Sequence, residues 1–147
     1  MKNLKLIQNA FLGVLLTAAV FAFGQDKIVA YSELPQSIQS YISQHFPKHQ
    51  VLQSEMENKL NSKEYEIVLS GNVKLEFDKN NQIKSIDAKS RLPESVIPAK
   101  IAAYVKTNYP NNFMKEWELK KNKQKVELDN GLELEFSLNG DFLKIDK

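Results

Sequence analysis

The stretch LPQSIQSYISQHFP, residues 34–47, decides the fold because it occurs again as IPAKIAAYVKTNYP, residues 97–110. The offset between the two copies is 63 residues throughout. Prolines stand near both ends of each copy, where they favour the first turn of a helix and oppose its continuation. Apolar residues recur at the i, i+3, i+4 spacing of an amphipathic helix, namely Ile38, Tyr41 and Ile42 in the first copy and Ile101, Tyr104 and Val105 in the second. The repeat therefore predicts two equivalent helices.

A second match follows each predicted helix, now at an offset of 59 residues: EIVLSGNVKLEF, residues 66–77, pairs with KVELDNGLELEF, residues 125–136. Apolar and polar residues alternate in both, which is typical of antiparallel strands with one buried and one solvated face. The pairs Asn130-Gly131 and Asn139-Gly140 predict type I′ hairpin turns, and Gly71-Asn72 and Asn80-Asn81 do so less strongly. An earlier strand is expected after each helix, with one side formed by Leu52, Ser54 and Met56 in the first copy and by Phe113, Lys115, Trp117 and Leu119 in the second.

These elements predict an α+β fold: a tandem repeat of a helix followed by a four-stranded antiparallel meander, with one helix packed on each sheet. The expected boundaries are residues 1–24 for a signal peptide, 25–89 for the first helix-sheet repeat and 90–147 for the second. Units of about 60 residues are marginally stable alone. We therefore expect the two repeats to pack together or to join their sheets edge to edge.

The N-terminal segment has the layout of a secretory signal. Lys2 and Lys5 precede an apolar run over residues 10–23, and small residues precede Gln25, which predicts cleavage after Gly24. The apolar run is too short to span a bilayer, so no stable membrane anchor is expected after cleavage. The predicted location is periplasmic or secreted.

Composition narrows the possible functions. The chain contains no cysteine, so it has neither disulfides nor the cysteine of a lipid-anchored lipoprotein, and a hydrophobic core must supply its stability. Removing Lys2 and Lys5 with the signal leaves 18 basic and 18 acidic residues. A formally neutral chain lacks the basic excess of nucleic-acid-binding proteins, so we expect no nucleic-acid partner.

The repeated residues carry a family resemblance. The helix motif of residues 35–47, the strands of residues 65–78 and the turn and strand of residues 80–87 resemble the PepSY-like family of exported bacterial proteins, whose fold is likened to that of the beta-lactamase-inhibitor protein. The resemblance implies a tandem helix-on-sheet architecture and binding of a protein or peptide, because related PepSY domains accompany secreted peptidases as propeptide or inhibitory modules. The resemblance implies no catalytic residues in this chain. The second copy departs from the motif at Gln124, which stands where the first copy has Tyr65.

No residue set in the sequence predicts catalysis, a cofactor or a metal. Nucleophilic catalysis lacks a cysteine and a Gly-x-Ser-x-Gly elbow. The two histidines, His45 and His49, are spaced for a metal on a helix, but Pro47 between them predicts the end of that helix. Trp117 is predicted to lie in the core rather than at an interface. The cofactor and metal expectations are therefore none, and the chain is expected not to be an enzyme.

The sheet surface facing away from the helices is the candidate partner-binding face. Strand alternation assigns to it Glu64, Glu66, Val68, Lys74, Glu76, Lys125, Glu127, Glu133 and Glu135. A face of mixed charge can complement a partner, although it can equally serve solubility alone. The favoured function is an exported non-enzymatic protein- or peptide-binding module that restrains an exported peptidase or another enzyme.

The alternative is a small-ligand or envelope-stress sensor that holds an apolar ligand between helices and sheet. That alternative requires a large cavity lined by Tyr41, Phe77, Tyr104 and Phe136. A hydrolase would instead require a pocket with convergent polar groups.

Overall fold

The computed structural model describes residues 26–59 and 62–146; the predicted signal peptide and its cleavage site lie outside this part. Two α-helices and two short 3₁₀ helices accompany the strands: α1 Gln36–His45, α2 Ala99–Asn108, and the 3₁₀ helices Tyr31–Glu33 and Glu94–Val96. The strands of this part are β1 Lys27–Ile28, β2 Val51–Lys59, β3 Ser62–Leu69, β4 Val73–Phe77, β5 Ile83–Ala88, β6 Met114–Leu119, β7 Gln124–Leu128, β8 Glu133–Phe136 and β9 Phe142–Asp146.

The nine strands described form one antiparallel sheet in sequence order, from β1 at one edge to β9 at the other. Strands β5 and β6 join the two halves, with Ile86 opposite Trp117 and Asp87 opposite Glu116. The two repeats therefore join their sheets edge to edge, which is one of the two arrangements that the sequence left open. The short strand β1, which precedes α1 and pairs with β2, was not predicted.

Each helix packs on the sheet through the residues that its periodicity singled out. Ile38 and Ile42 of α1 are buried, as are Ile101 and Val105 of α2. Both helices begin directly after a proline and end two residues before another. In α1 the carbonyl of Pro35 accepts hydrogen bonds from the first-turn amides, so the proline serves the start of the helix without losing a needed donor.

The core between the helices and the sheet is filled by aromatic rings. Phe77 and Phe136 are almost fully buried. Tyr41 of α1 packs edge-to-face on Phe77 with ring centroids 5.5 Å apart, and Tyr104 of α2 packs in the same way on Phe136 at 5.4 Å. The ligand-sensor alternative required these four rings to line a large cavity. They instead pack against each other in two pairs. Trp117 is also buried, which confirms its predicted place in the core.

The turns agree with the prediction in part. Positive φ angles occur at both Gly71 (79°) and Asn72 (58°), so this predicted pair has the two left-handed residues that a type I′ turn requires. In the other predicted pairs only one residue has positive φ, namely Asn81, Gly131 or Gly140. A single left-handed residue does not make a type I′ turn, so these three turns differ from the prediction.

No helix within residues 26–59 and 62–146 is long and apolar enough to cross a membrane.

Candidate partner-binding face

The sheet surface opposite the helices, called the open face below, includes all nine predicted residues. In β3, Glu66 and Val68 alternate with the buried Ile67 and Leu69. In β7, Lys125 and Glu127 alternate with buried neighbours in the same way. The strand register places the other predicted residues opposite these on adjacent strands. The structure thus assigns all nine to one side of the continuous sheet.

Carboxylates stand directly opposite one another across much of the open face. The register pairs acid with acid between neighbouring strands, which lie about 4.8 Å apart. The first half contains the row Glu55–Glu66–Glu76 and the pair Glu57–Glu64. The second half contains a row that crosses five strands, Asp87–Glu116–Glu127–Glu133–Asp146. Like charges directly opposite on a sheet are destabilising, so these rows raise the free energy of the folded state.

The longer of these rows, called the acid row below, contains residues that were not predicted. Asp87, Glu116 and Asp146 belong to it through the β5–β6 and β8–β9 pairings. Alternation around the buried Trp117 could have placed Glu116 on the open face. Its alignment with Asp87 depends on the joining of the two repeats, which the sequence left open.

Lysines compensate part of the negative charge. Lys74 Nζ lies 2.9 Å from Glu66 Oε2, and Lys115 Nζ lies 2.7 Å from Glu127 Oε1. Such exposed ion pairs contribute little stability each. Within the described ranges, no lysine or arginine nitrogen is at ion-pair distance from the carboxylates of Asp87 and Glu116. The middle of the acid row, where the two repeats meet, is therefore its least compensated part.

The acidic surroundings change the protonation of Glu116. Its pKa is raised above the ordinary glutamate value, first by partial burial, then by the negative charge of Asp87 and by contact with Glu127. Burial and neighbouring like charges both disfavour an ionised carboxyl group. The raised pKa means that the folded state disfavours the ionised form of Glu116.

Two side chains differ from their predicted environments. Glu135 was predicted to be solvated, but only 2% of it is exposed. It is buried because Lys123 forms an ion pair with one carboxylate oxygen and Lys144 Nζ lies 3.8 Å from the other. Lys115 was predicted to share the side of Trp117. A register shift between Met114 and Glu116 lets Lys115 turn instead to Glu127 on the open face.

The histidines have separate structural partners. His45 Nδ1 lies 2.9 Å from Ser95 Oγ, and His49 Nδ1 lies 2.6 Å from the carbonyl oxygen of Ser70. Over the ranges that the structure describes, no three His, Asp or Glu side chains are grouped so that they could hold a metal ion. Each histidine therefore contacts a serine of the neighbouring structure, and the two do not share a partner.

Three solved structures that are similar to this chain are described as periplasmic proteins of Bacteroides. A "putative calcium-regulated periplasmic protein" from Bacteroides thetaiotaomicron is 36% identical, with a TM-score of 0.78 over 83% of this chain and 97% of its own. A periplasmic protein from Bacteroides vulgatus has the same identity, score and coverage. A second one from that organism, described as of unknown function, is 28% identical with a TM-score of 0.77, over 84% of this chain and all of its own.

No curated protein matches the chain. One protein family does, and it matches twice, over residues 24–85 and again over residues 63–144. The two matches together cover residues 24–144 and overlap over residues 63–85. The chain therefore belongs to the PepSY-like family, whose description reads "Putative beta-lactamase-inhibitor-like, PepSY-like".

Proposed function

We propose that this protein is exported and, without catalysing a reaction itself, binds another exported protein or peptide through the open face. We further propose that the partner presents lysine or arginine side chains to the acid row. The observation that carries this proposal is the run of five carboxylates opposite one another from β5 to β9.

The register gives the physical reason for a cationic partner. Seven cross-strand pairs of the open face oppose acid to acid: the two in the Glu55–Glu66–Glu76 row, the Glu57–Glu64 pair and the four in the acid row. A surface selected only for solubility would alternate its charges and avoid this cost. A bound cation relieves it, so the repulsion stored in the free protein favours association. Complementary charge also increases the association rate and selects among partners.

Family membership and location support the same proposal. The family is described as beta-lactamase-inhibitor-like, and the similar structures are described as periplasmic proteins. The signal-like segment that ends at Gly24 agrees with export. Restraint of an exported peptidase or another enzyme is the more specific form of the proposal.

Calcium regulation, which the description of one similar structure mentions, is not part of this proposal. Calcium takes six to eight oxygen ligands. In the part of the chain described here, no three carboxylate or imidazole side chains come close enough together to begin such a site.

The test is capture of envelope and culture proteins on purified Gln25–Lys147. The variant Asp87→Asn/Glu116→Gln/Glu127→Gln removes three adjacent charges of the acid row and keeps the side-chain shapes. Glu94→Gln, on the opposite side of the molecule, is the matched control. We expect one partner to be captured by the wild type and by Glu94→Gln, to be lost with the triple variant, and to elute as salt rises.

Two results would contradict the proposal. Capture of nothing at any salt concentration opposes binding of a partner, and equal capture by the triple variant opposes the open face as the binding surface. Where the captured protein is an enzyme, measuring its activity with increasing amounts of the wild type tests whether the protein restrains that enzyme. Undiminished turnover at saturation would contradict restraint but not binding.

A further inference from the structure

A groove of about 660 Å³ lies on the helix side of the molecule, away from the open face. It is bounded by α2, the 3₁₀ helix Glu94–Val96 and the segment of residues 110–114 that follows α2. Apolar side chains of Leu92, Ile97, Val105 and Met114 contribute to its lining. Its volume is in the range of small-molecule sites, which are concave and mostly apolar with a few placed polar groups.

Two cationic side chains border the groove. Arg91 and Lys106 both contribute to its lining, and Glu94 is the only acid among the lining residues. The Arg91 guanidinium lies over the ring of Phe113, 5.2 Å from its centroid. This cation–π contact limits the orientations of the guanidinium, so the positive charge is held at the groove before any ligand arrives.

The repeat provides an internal comparison. The 3₁₀ and α-helices of the two halves correspond at an offset of 63 residues, so Glu94 corresponds to Tyr31 and Ala102 to Gln39. In the first half, Tyr31 Oη donates to the Gln39 carbonyl at 3.3 Å, and Gln39 Nε2 donates to the Leu34 carbonyl at 2.8 Å. These side chains cover the surface between the 3₁₀ helix and α1.

In the second half, the methyl group of Ala102 cannot form the corresponding cover. The comparable groove of the first half is smaller, about 500 Å³, is partly lined by Tyr31, and has no lysine or arginine in its lining. The two halves share a fold, but of these two grooves the one in the second half is larger and has an arginine and a lysine in its lining.

We propose that this groove binds a small amphipathic carboxylate. Its alkyl part lies along Leu92, Ile97, Val105 and Met114, where burial removes apolar surface from water. Its carboxylate accepts charge-assisted hydrogen bonds from Arg91 and Lys106. This site is independent of the proposed function, because the groove and the open face lie on opposite sides of the sheet.

The experiment measures binding of decanoate to Gln25–Lys147 by isothermal titration calorimetry below the micelle concentration. Decyltrimethylammonium, with the same chain length and the opposite charge, is the control ligand. We expect saturable binding of decanoate at one site and, for the cationic ligand, binding at least about tenfold weaker.

Variants locate the site. Ala102→Gln installs the side chain of the first half and should weaken decanoate binding at least about tenfold, whereas Ser40→Gln on α1 should not change it. Arg91→Gln should weaken binding about fivefold or more, whereas Lys89→Gln, which removes a nearby charge outside the groove lining, should not. Lys106→Gln removes the second cation of the lining and should also weaken binding about fivefold or more, and the urea midpoint of each variant verifies folding. Absence of saturable decanoate binding, equal binding of both ligands, or unchanged binding by Ala102→Gln would each overturn the proposal.

Discussion

Replacing Glu116 by glutamine should stabilise the protein at neutral pH. Glu116 stands directly opposite Asp87 on one side and Glu127 on the other, and its pKa is raised by burial and by these neighbours. Opposed like charges cost roughly 0.2–1 kcal/mol per pair, and solvent screening at this partly exposed site favours the lower part of that range. Glutamine keeps the size and hydrogen-bonding capacity of the side chain, so we expect a gain of about 0.5–1 kcal/mol in the free energy of unfolding.

The pH dependence of this gain follows from the direction of the pKa shift. The folded state holds the Glu116 proton to a higher pH than the unfolded state does, so the ionised carboxyl destabilises the fold as pH rises above the ordinary value of 4.5. The gain of Glu116→Gln should therefore be complete at pH 7 and shrink as pH falls toward 4. It should also shrink as salt is added, because salt screens the repulsion.

Urea denaturation of the variant and the wild type at several pH values and two salt concentrations measures this effect. Glu118→Gln is the matched control, since Glu118 lies on the same strand and face but stands opposite Lys125 and forms an ion pair with Lys120. We expect no gain from that control. A destabilised Glu116→Gln, or a gain that does not change between pH 7 and pH 4, would refute the account of the acid row as a site of uncompensated repulsion.

Four further predictions concern the core and the turns, each measured by urea or thermal unfolding. Leu75→Ala should cost about 2–5 kcal/mol, because this fully buried side chain leaves a cavity in the central sheet. Gln124→Leu should cost about 1–3 kcal/mol, since it removes the 3.0 Å acceptor of the buried Trp117 Nε1. Gly131→Ala should cost about 1–2 kcal/mol through its φ of +83° alone, as nothing lies near the added methyl group. Gly140→Ala should cost more, because its methyl group also meets Lys100 Cβ at 3.1 Å.

The helices and the central strands could be predicted because their local patterns coincide with their tertiary contacts. Ile38 and Ile42 recur at helical spacing and are the residues that α1 buries. Leu75 and Phe77 alternate with polar neighbours and are buried in β4. In both cases one buried face defines the sequence period, so the pattern and the core carry the same information.

The parts that could not be predicted depend on long-range pairing or on local irregularity. The alignment of Asp87 with Glu116 requires β5 and β6 to become neighbours, which no local pattern in either strand specifies. Lys115 reaches the open face through a register shift beside Met114, and a one-residue shift moves side chains to the other face. Glu135 is buried by lysines of β9 and of the loop before β7, which alternation within β8 cannot reveal.

Joining the repeats into one sheet lengthens the acid row of the open face. Separately, the first repeat would carry Asp87 beside Lys74, its neighbour on β4, and the second would carry the row that begins at Glu116. Pairing β5 with β6 brings Asp87 against Glu116 and extends the row across five strands. Selection for stability alone would favour a neutral residue at one of these two positions, because a neutral side chain at either position removes the repulsion. Among the residues that the structure describes, neither Asp87 nor Glu116 has a lysine at ion-pair distance. We therefore propose that the partner's cationic group binds there rather than on the better compensated strands at either end.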